Sequence, residues 1–400
     1  MELTITQHIK RPLGPVGDRS KNWLFLGVGY TAKAMIARLP NDLNVVGTSR
    51  NPDRWPDDLK ARVKGVDFSG HVTPELKSVL AKTDVLIISL PPAQSGDPFL
   101  SAIDTPLTDL MPNLKWAGYL SATSVYGDRG GQWAFEGEPP RPSLARGLYR
   151  AEAEMAWIET GLPVHIFRLA GIYGGPHFGQ TRNPFARLQA GEARAVIKPD
   201  HVVNRIHVDD IASALWASIA RPNPLRIYNL ADGAPSSPQD VLGFAAKLCG
   251  ASPPPRVSVS SEEISDMARS FYSETKRISH ARARRELGWE PDYGNYQTGL
   301  MSIYKAQFCK PEAVCLSGYL DIPSHHQRGL KDALARHIRL TRAEKGCLRF
   351  EVEHNPNIKG RLDVVEVFES KAAFHAHQRR TAASDWAVIT QGLPRHYIMI

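Results

Sequence analysis

The stretch Trp23-Leu-Phe-Leu-Gly27-Val-Gly29-Tyr30-Thr31-Ala32 decides the fold of most of the chain. A short apolar run ends in Gly-x-Gly-x-x-Ala, and Ala32, Ile36 and Leu39 follow at the spacing of an amphipathic helix. This order predicts a strand, a tight turn at Gly27 and a helix, with Gly29 letting the backbone approach a pyrophosphate. A glycine-rich surface turn is the alternative interpretation, but the flanking strand and helix favour a dinucleotide site. The candidate cofactor-binding residues here are Gly27, Gly29, Tyr30, Thr31 and Ala32.

Composition and charge set the class of protein. The chain has 400 residues, of which 42% are hydrophobic and 22% charged, as in a soluble globular protein. Apolar runs such as residues 85–90 are too short to span a bilayer, and no secretory signal is visible, so we expect a cytoplasmic protein without membrane contact. The net charge of +8 is spread among acidic residues, which argues against nucleic acid as a partner. The four cysteines lack metal-ligand spacing, so no metal site is expected.

The end of the second predicted strand, residues 43–50, indicates which dinucleotide is bound. An NAD site places a carboxylate there for the ribose 2′-hydroxyl, whereas an NADP site offers hydroxyls and a cation to the 2′-phosphate. Thr48, Ser49 and Arg50 supply the second set, so NADP is favoured over NAD, although Arg50 also fits an ordinary exposed loop. Later strand ends add further candidates, which are Asp67 for the adenine edge and Ser89 and Leu90 beside the cofactor.

Strands alternate with helices over the rest of this region. Residues 84–90, 116–121 and 163–169 read as buried strands, and residues 143–160 read as a helix. This alternation predicts an α/β fold with a doubly wound parallel sheet of the Rossmann type. Residues 1–20 are polar and carry two prolines and two glycines, which predicts a flexible leader.

Several blocks in this region carry a family resemblance. They are Gly27-Val-Gly-Tyr-Thr-Ala32, Leu120-Ser-Ala-Thr-Ser-Val-Tyr-Gly127, Arg168-Leu-Ala-Gly-Ile-Tyr-Gly174, Asn204-Arg-Ile-His-Val-Asp-Asp-Ile211, Tyr228-Asn-Leu230 and Glu286-Leu-Gly-Trp289. Residues 20–305 thereby resemble the extended short-chain dehydrogenase/reductase superfamily, of the NAD-dependent epimerase/dehydratase type. The resemblance implies an NAD(P)-binding domain over residues 21–310, with a small substrate lobe mainly at residues 175–195 and 232–300. It also implies chemistry on a carbonyl or hydroxyl group of a small-molecule substrate.

The usual catalytic pair of that superfamily is altered in this chain. Its members carry Tyr-x-x-x-Lys on one helix, where the lysine lowers the tyrosine pKa and holds the nicotinamide ribose. Alignment on Ala153 and Glu154 places Arg146 at the tyrosine position and Arg150 at the lysine position. Arginine does not exchange protons near neutral pH, so we assign Arg150 to ribose or phosphate binding.

Two other side chains remain as substitutes for the altered groups. Tyr149 lies about one helical turn from Arg146 and is a candidate for reaching the site from another angle. On the loop that supplies a hydroxyl in the superfamily, Ala122 fills one position and Thr123 is the preferred hydroxyl. The candidate catalytic residues are therefore Thr123, Arg146, Tyr149 and Arg150.

A second module begins near residue 312. Residues 314–322, 348–352, 361–368 and 397–400 read as strands, and residues 330–338 and 372–377 as helices. The resulting β-α-β-β-α-β order is that of an α+β ferredoxin-like fold. Three blocks, Thr341-Arg-Ala-Glu-Lys-Gly-Cys347, Val365-Glu-Val-Phe-Glu369 and Ala373-Phe-His-Ala-His377, resemble the antibiotic biosynthesis monooxygenase (ABM) domain over residues 312–400.

The ABM resemblance implies a dimeric α+β barrel. An isolated copy would leave an apolar sheet face bare, so we expect a homodimer through this domain. Some relatives oxidise quinols or polycyclic phenols without metal or flavin, and some degrade haem, whereas others have no demonstrated activity. His377 or His375 could line a barrel cavity, although a packed or partly exposed histidine is the more common case. Trp386 shows no paired spacing for a haem-degrading site.

The sequence leaves three functions open. The first is an NADP-dependent oxidoreductase or epimerase-like enzyme, which the set of fold blocks favours and the missing Tyr-x-x-x-Lys pair opposes. The second is a non-catalytic protein that senses NADP and is dimerised by the C-terminal barrel. The third is a cofactor-independent quinol or aromatic monooxygenase activity in the C-terminal domain. We adopt the first as the working hypothesis.

Overall fold

The computed structural model describes residues 4–7, 20–323, 330–355 and 358–400. The strands in these ranges are β1 (Thr4–Gln7), β2 (Asn22–Leu26), β3 (Asn44–Ser49), β4 (Lys64–Asp67), β5 (Val85–Ile88), β6 (Trp116–Ala122), β7 (Trp133–Ala134), β8 (Val164–Leu169), β9 (Gly171–His177), β10 (Gln180–Arg182), β11 (Ala195–Ile197), β12 (Arg205–His207), β13 (Ile227–Leu230), β14 (Arg256–Ser258), β15 (Arg277–Ile278), β16 (Val314–Asp321), β17 (Cys347–His354), β18 (Arg361–Phe368) and β19 (Arg395–Met399).

The α-helices in the same ranges are α1 (Tyr30–Ile36), α2 (Asp57–Lys60), α3 (Pro74–Leu80), α4 (Leu107–Leu110), α5 (Ala145–Ile158), α6 (Phe185–Gln189), α7 (Val208–Ala220), α8 (Pro238–Cys249), α9 (Asp266–Ser270), α10 (Ala281–Leu287), α11 (Tyr296–Phe308), α12 (Leu330–Arg342), α13 (Lys371–Ala382) and α14 (Asp385–Ile389). Short 3-10 helices lie at Pro52–Arg54, Leu100–Ala102 and Thr123–Tyr126.

A parallel sheet of seven strands forms the centre of the first unit, in the order β13-β8-β6-β5-β2-β3-β4. The strand order reverses between β2 and β5, and α/β sheets bind ligands at such a switch point, beyond the carboxyl ends of their strands. The doubly wound Rossmann-type sheet expected from the alternation of strands and helices is therefore confirmed.

Two apolar cores form because successive side chains of β2 point to opposite faces of the sheet. Trp23 and Phe25 pack on one face with Trp216 of α7, and the rings of Trp23 and Trp216 are stacked 5.8 Å apart. On the other face Leu24 packs in a cluster that includes Trp157 of α5. Helices thus cover both faces of the sheet and hold it in place, including the carboxyl ends of its strands.

A smaller lobe is built from segments that lie before and after β13 in the chain. It contains the three-stranded sheet β10-β9-β12, the two-stranded sheet β11-β14 and the helices α6, α8 and α11. Phe185, Val241 and Leu300 bring the three helices into one apolar cluster. These elements fall within or beside the regions expected to form a substrate lobe, and substrate binding by them stays a prediction.

The second unit is a five-stranded sheet in the order β1-β19-β16-β18-β17, with helices on one face. Leu320 and Leu362 pack with Trp386 of α14, and Leu316 and Phe368 pack beside α13. The succession β16-α12-β17-β18-α13-β19 confirms the expected ferredoxin-like order, to which α14 and β1 are additions.

Strand β1 corrects the expectation of a flexible leader. Thr4–Gln7 pair in parallel with residues 396–399 of β19, so this part of the leader is an edge strand of the C-terminal sheet. The prediction relied on the prolines and glycines at positions 12–17. Those residues, with 1–3 and the rest of 8–19, lie outside the described ranges.

The sheet face opposite the helices packs on the smaller lobe of the same chain. We call it the lobe-side face and define it by Cys315, Val365, Val367 and Ile398, which alternate with the helix-side residues along their strands. Cys315, Val365 and Val367 are buried against the apolar sides of α8 and α11. The expected homodimer rested on this face being bare. Because the chain covers it, the homodimer stays a prediction without that reason.

Candidate functional site

The glycine turn lies at the switch point between β2 and β5. Gly27 has a φ of +89°, which residues with a Cβ rarely adopt, and its N–H donates to Thr48 Oγ1 over 2.9 Å. The hydroxyl of Ser89, which follows β5, donates to the Gly27 carbonyl over 2.6 Å. A Cβ on Gly27 would also lie 3.0 Å from a methyl group of Leu90. Backbone angle and close packing therefore both require glycine at this position.

A cleft of about 530 Å³ opens beside this turn. From the switch point it is lined by Gly29, Tyr30, Thr31 and Ser89. From the end of β6 and the start of α5 it is lined by residues 120–124, Arg146 and Arg150. Its other lining residues are 169–172, Arg182, 202–204, Ser270, Phe271, Glu274 and Lys276. One cleft thus joins the predicted cofactor turn to three of the four predicted catalytic residues.

Gly29 leaves room for a ligand in this cleft. A Cβ built on Gly29 would meet no atom within 4 Å, and its φ of −85° does not itself demand glycine. In Gly-x-Gly turns the second glycine allows the backbone to approach a pyrophosphate. The neighbouring Tyr30 is directed elsewhere, since its hydroxyl donates to the Gly175 carbonyl over 2.7 Å and burial raises its pKa. The residues at the turn therefore fit a dinucleotide.

The residues predicted for the adenosine end lie at the ends of β3 and β4. Thr48 is fully buried and accepts the Gly27 N–H, which assigns it to the turn rather than to a 2′-phosphate. Ser49 Oγ accepts from the Asn51 N–H over 3.2 Å, and Arg50 is exposed. Asp67 accepts a hydrogen bond from Ser69 over 3.2 Å. Cofactor contacts by Ser49, Arg50 and Asp67 stay predictions.

Arg146 and Arg150 are anchored to different parts of the cleft. Arg150 Nη1 donates to the Leu120 carbonyl over 2.9 Å, which ties its guanidinium to the end of β6. Arg146 Nη1 donates to Ser270 Oγ over 2.9 Å, and its guanidinium carbon lies 4.5 Å from the centre of the Phe271 ring. Arg150 therefore belongs to the sheet side, whereas Arg146 bridges from α5 to the end of α9.

Thr123 lines the cleft, whereas Tyr149 does not. Thr123 is the first residue of the 3-10 helix that follows β6. Tyr149 is half-buried on α5 and is absent from the cleft lining. On a helix, position 149 is rotated by about 80° from the mean direction of positions 146 and 150. The substitute role of Tyr149 stays a prediction.

Lys276 is a cleft residue that the sequence did not indicate. Its Nζ donates to the Gly127 carbonyl over 2.7 Å and to Glu274 Oε2 over 2.5 Å. The side chain is only 9% exposed, and burial lowers its pKa. Arg182 of β10 was also missed and lies 5.6 Å from the centre of the Tyr30 ring. Both residues come from the smaller lobe and its edge, so no motif near the cofactor turn could have signalled them.

A buried ionic network supports the cleft from behind. Glu154 of α5 and Arg168 of β8 form an ion pair of 2.7 Å, and Ser121 Oγ donates to Glu154 over 2.5 Å. The Arg168 guanidinium lies 4.8 Å from the ring centre of Tyr126, whose hydroxyl donates to Asn229 over 2.7 Å. Because Glu154 lies one helical turn after Arg150, the network fixes the part of α5 that faces the cleft.

The candidate histidines of the second unit lie away from this cleft. His377 is buried, with its Nδ1 2.8 Å from Glu344 and its Nε2 4.0 Å from Glu366. His375 is exposed. Burial, together with the charge of Glu344, raises the pKa of Glu366 to about 8. His377 therefore belongs to a buried polar cluster between the sheet and α13.

Two other features are absent from the described residues. No group of three or more His, Cys, Asp or Glu side chains in those ranges could hold a metal ion. Nor has any helix there the length and apolar character that crossing a membrane requires.

Known proteins resemble the chain in two separate regions. The family model described as antibiotic biosynthesis monooxygenase matches residues 313–388. Protein YeeZ of Escherichia coli strain K12 is 31% identical over 253 residues, which cover 58% of this chain and 82% of YeeZ.

Solved structures extend the likeness over the first unit. A conserved protein of unknown function from Silicibacter pomeroyi is 41% identical, with a TM-score of 0.64 over 72% of this chain and 99% of that one. UDP-glucuronic acid 4-epimerase from Bacillus cereus, solved with NAD, is 16% identical, with a TM-score of 0.55 over 72% and 97% of the two chains. At that identity the epimerase shows a shared fold alone.

Proposed function

Because the chain belongs to the family of protein YeeZ, within the extended short-chain dehydrogenase/reductases, we propose that it binds a nicotinamide dinucleotide for hydride transfer. An ABM domain follows at residues 313–388. The proposed substrate is a small molecule with a carbonyl or hydroxyl group. The observation that carries the proposal is the shared cleft, in which Gly29 and Ser89 line the same space as Thr123 and Arg150.

The cleft residues divide into those that hold the cofactor and those that face the substrate. Nicotinamide, when bound, supplies or accepts the hydride. We assign Arg150, which the Leu120 carbonyl fixes at the cleft, to the ribose hydroxyls, the role that lysine has in relatives. Thr123 offers a hydroxyl to the reacting oxygen of the substrate. Arg146 and Arg182 add positive charge to the cleft, which favours a substrate with an anionic group.

Proton transfer requires a group other than the usual tyrosine. Neither arginine exchanges a proton near neutral pH. Lys276 lines the cleft, is paired with Glu274, and has a pKa lowered by burial, so we assign the proton to this pair. Lys276→Met is expected to abolish turnover while NADPH still binds.

The experiment that tests the proposal is calorimetric titration of the purified chain with NADPH and NADH. Gly29→Val should weaken NADPH binding at least about tenfold, because its side chain would occupy the space beside the turn. The fold should persist, since nothing lies within 4 Å of that Cβ. Gly137→Val, at an exposed site away from the cleft, is the control. No saturable uptake of either dinucleotide by the unaltered chain would overturn the proposal.

Arg50 supports the preference for NADP over NAD. It is the exposed cation at the end of β3, and a charge-assisted hydrogen bond to the 2′-phosphate is worth about 1.5–3 kcal/mol. Arg50→Ala should therefore weaken NADPH binding at least about tenfold and leave NADH binding unchanged. Arg54→Ala, also exposed, is the matched control. Equal affinities of the unaltered chain for NADH and NADPH would contradict the preference.

A second candidate function is NADP binding without turnover. It is favoured by Arg146, which occupies the tyrosine position and is bonded to Ser270. Under this function the chain senses the dinucleotide, and a dimer through the C-terminal domain would transmit its occupancy. Saturable NADPH binding without NADPH consumption, across panels of carbonyl and quinone compounds, would select it over the enzyme.

A third candidate places oxidation of a quinol or aromatic compound in the C-terminal domain. The buried contact of His377 with the Glu344 carboxylate favours it, because a histidine paired with a carboxylate can accept a proton. Oxygen uptake by the full chain without added NADPH, lost in His377→Ala and kept in His375→Ala, would support this function.

A further inference from the structure

A second cavity, of about 810 Å³, lies between the two units and shares no lining residue with the dinucleotide cleft. One wall is the lobe-side face, which contributes Ser317, Tyr319, Val365 and Ile398. The other wall is formed by α8, the start of α11 and the residues 253–256. Neither unit alone encloses this space, so it exists because the C-terminal sheet packs on the lobe.

The walls of this interdomain cavity combine aromatic rings with polar and charged side chains. Phe244 of α8 and Tyr296 of α11 meet edge to face with their ring centres 5.7 Å apart. Across from them, the Arg361 guanidinium lies 3.5 Å from the ring centre of Tyr319, and the His396 ring lies tilted against Tyr319 with the ring centres 4.9 Å apart. Aromatic rings and a planar guanidinium are surfaces on which aromatic ligands bind.

Helix α8 contributes two features to the cavity: open space beside Gly243 and, on Gln239, a hydrogen-bond acceptor without a donor. Gly243 and Gln239 are four residues apart, so they lie on the same side of the helix. A Cβ on Gly243 would meet nothing within 4 Å. Gln239 Oε1 is buried and has no hydrogen-bond donor among the described residues. A buried acceptor without a donor is costly, and a ligand hydroxyl or N–H would satisfy it.

The charged side chains that line the cavity nearly balance in sign, with Lys247, Arg256 and Arg361 against Asp240, Glu351, Glu353 and Asp363. Lys247 pairs with Glu353 over 2.6 Å, and Arg361 pairs with Asp321 through contacts of 2.7 and 2.8 Å. Because these opposite charges lie close together, the electrostatic potential inside the cavity gives little preference for a charged ligand.

We infer that the interdomain cavity binds a neutral, planar aromatic compound that donates a hydrogen bond to Gln239. The aromatic walls supply the contact area, Gly243 leaves the space, and the Gln239 carbonyl oxygen gives the orientation. This site is independent of the proposed hydride transfer, since it uses neither the glycine turn nor the arginines of α5.

The test is calorimetric titration of the full chain with 2-naphthol in the presence of saturating NADPH, which keeps the dinucleotide cleft filled. If NADPH itself does not bind, the same titration is run without it. We expect saturable binding with one site per chain. 2-Methoxynaphthalene has the same rings without a donor and should bind about fivefold to tenfold more weakly.

Two variants identify the site. Gly243→Trp should abolish 2-naphthol binding by occupying the space next to Gln239, whereas Gly243→Ala adds only a methyl group and should leave binding intact. Gln239→Leu should bring the affinities for 2-naphthol and 2-methoxynaphthalene together. Gln391→Leu, at an exposed glutamine away from the cavity, should retain the difference between these two affinities.

Each result of these titrations either supports or overturns the inference. Loss of binding in Gly243→Trp with unchanged thermal unfolding supports the inference. Absence of saturable 2-naphthol binding by the unaltered chain, or equal binding by Gly243→Trp, overturns it. Equal affinities for the two naphthalenes in the unaltered chain overturn the role of Gln239.

Discussion

Thr48 shows how one side chain can support a binding turn without touching a ligand. Its hydroxyl accepts the Gly27 N–H over 2.9 Å and is wholly buried. Successive strand residues point to opposite faces, so Thr48 and Ser49 cannot both face a nucleotide. The threonine therefore sets the shape of the turn, and the exposed Arg50 is the residue proposed to bind a phosphate.

Thr48→Val should destabilise the chain. Valine keeps the shape of threonine but leaves the Gly27 N–H without its acceptor, which costs about 1–3 kcal/mol for a buried group. Urea unfolding measures the change in the free energy of unfolding. Thr108→Val, at an exposed position of α4, is the control and should change it by less than about 0.5 kcal/mol. Equal effects of the two variants would contradict the role of Thr48.

Glu366 should make the stability of the chain fall as the pH rises. Burial raises its pKa from 4.5 to about 8, so between these values the folded chain keeps a proton that the unfolded chain releases. The free energy of unfolding then loses up to about 1.4 kcal/mol per pH unit in this window.

Glu366→Gln tests this by removing the ionisation. The difference in free energy of unfolding between the variant and the unaltered chain should favour the variant more at pH 7.5 than at pH 5.5. Urea unfolding at both pH values measures this difference. Glu369→Gln, at an exposed position nearby, should follow the unaltered chain. A parallel pH dependence in Glu366→Gln and the unaltered chain would refute the assignment.

Residues near the glycine turn were predictable because their roles follow from local spacing. The Gly-x-Gly turn places Gly29 beside the cleft, and the helix register places Arg146 and Arg150 at its edge. Lys276 was not predictable, since it reaches the Gly127 carbonyl across 149 positions of sequence. Tyr149 lies on the same helix but does not line the cleft, so spacing along α5 alone does not decide its role.

At the scale of elements, α5 depends on one close approach. A Cβ on Gly147 would lie 2.6 Å from the Ser124 carbonyl oxygen, so glycine lets the first turn of α5 contact the loop that carries Thr123. Gly243 of α8 is the opposite case, because it is a helical glycine that faces open space.

Gly147→Ala and Gly243→Ala should therefore have opposite effects. Alanine favours a helix over glycine by about 0.5–1 kcal/mol, and Gly243→Ala should gain that stability. Gly147→Ala should lose stability, since the added methyl group must displace the loop. Thermal unfolding of both variants measures the difference. A gain in stability from both substitutions would refute the close approach at Gly147.

The elements themselves were largely predictable, since apolar periodicity is local and each predicted strand of the central sheet was found. The exception is β1, whose partner β19 lies at the other end of the sequence. A pairing between strands so far apart in sequence leaves no local pattern. The residues of β1 were therefore predicted to be part of a flexible leader, because the residues around them are polar.

At the scale of the whole molecule, the two units share one apolar interface. Val367 is fully buried on the lobe-side face and packs in the same cluster as Leu300 of α11. A sheet face covered in this way needs no second copy to hide it from water. Neither unit's sequence signalled the interface, because each half of it resembles an ordinary apolar surface.

Val367→Glu should lower the stability without changing the mass of the protein in solution. A buried, unpaired carboxylate in this interface costs about 3 kcal/mol or more. Urea unfolding measures the loss, and sedimentation equilibrium measures the mass. Val388→Glu, at a position that is 73% exposed on α14, is the control for both. An assembly dissociated by Val367→Glu alone would show that a second copy covers this face.

The pairing of β1 with β19 has a consequence for synthesis on the ribosome. The four residues of β1 are synthesised well before their partner, because Thr4 pairs with His396, 392 positions later in the sequence. Until β19 has been made, β1 has no strand to pair with, while the Rossmann-type sheet has all of its strands once β13 has been made. The first unit can therefore fold during synthesis, before the C-terminal sheet gains its edge strand β1.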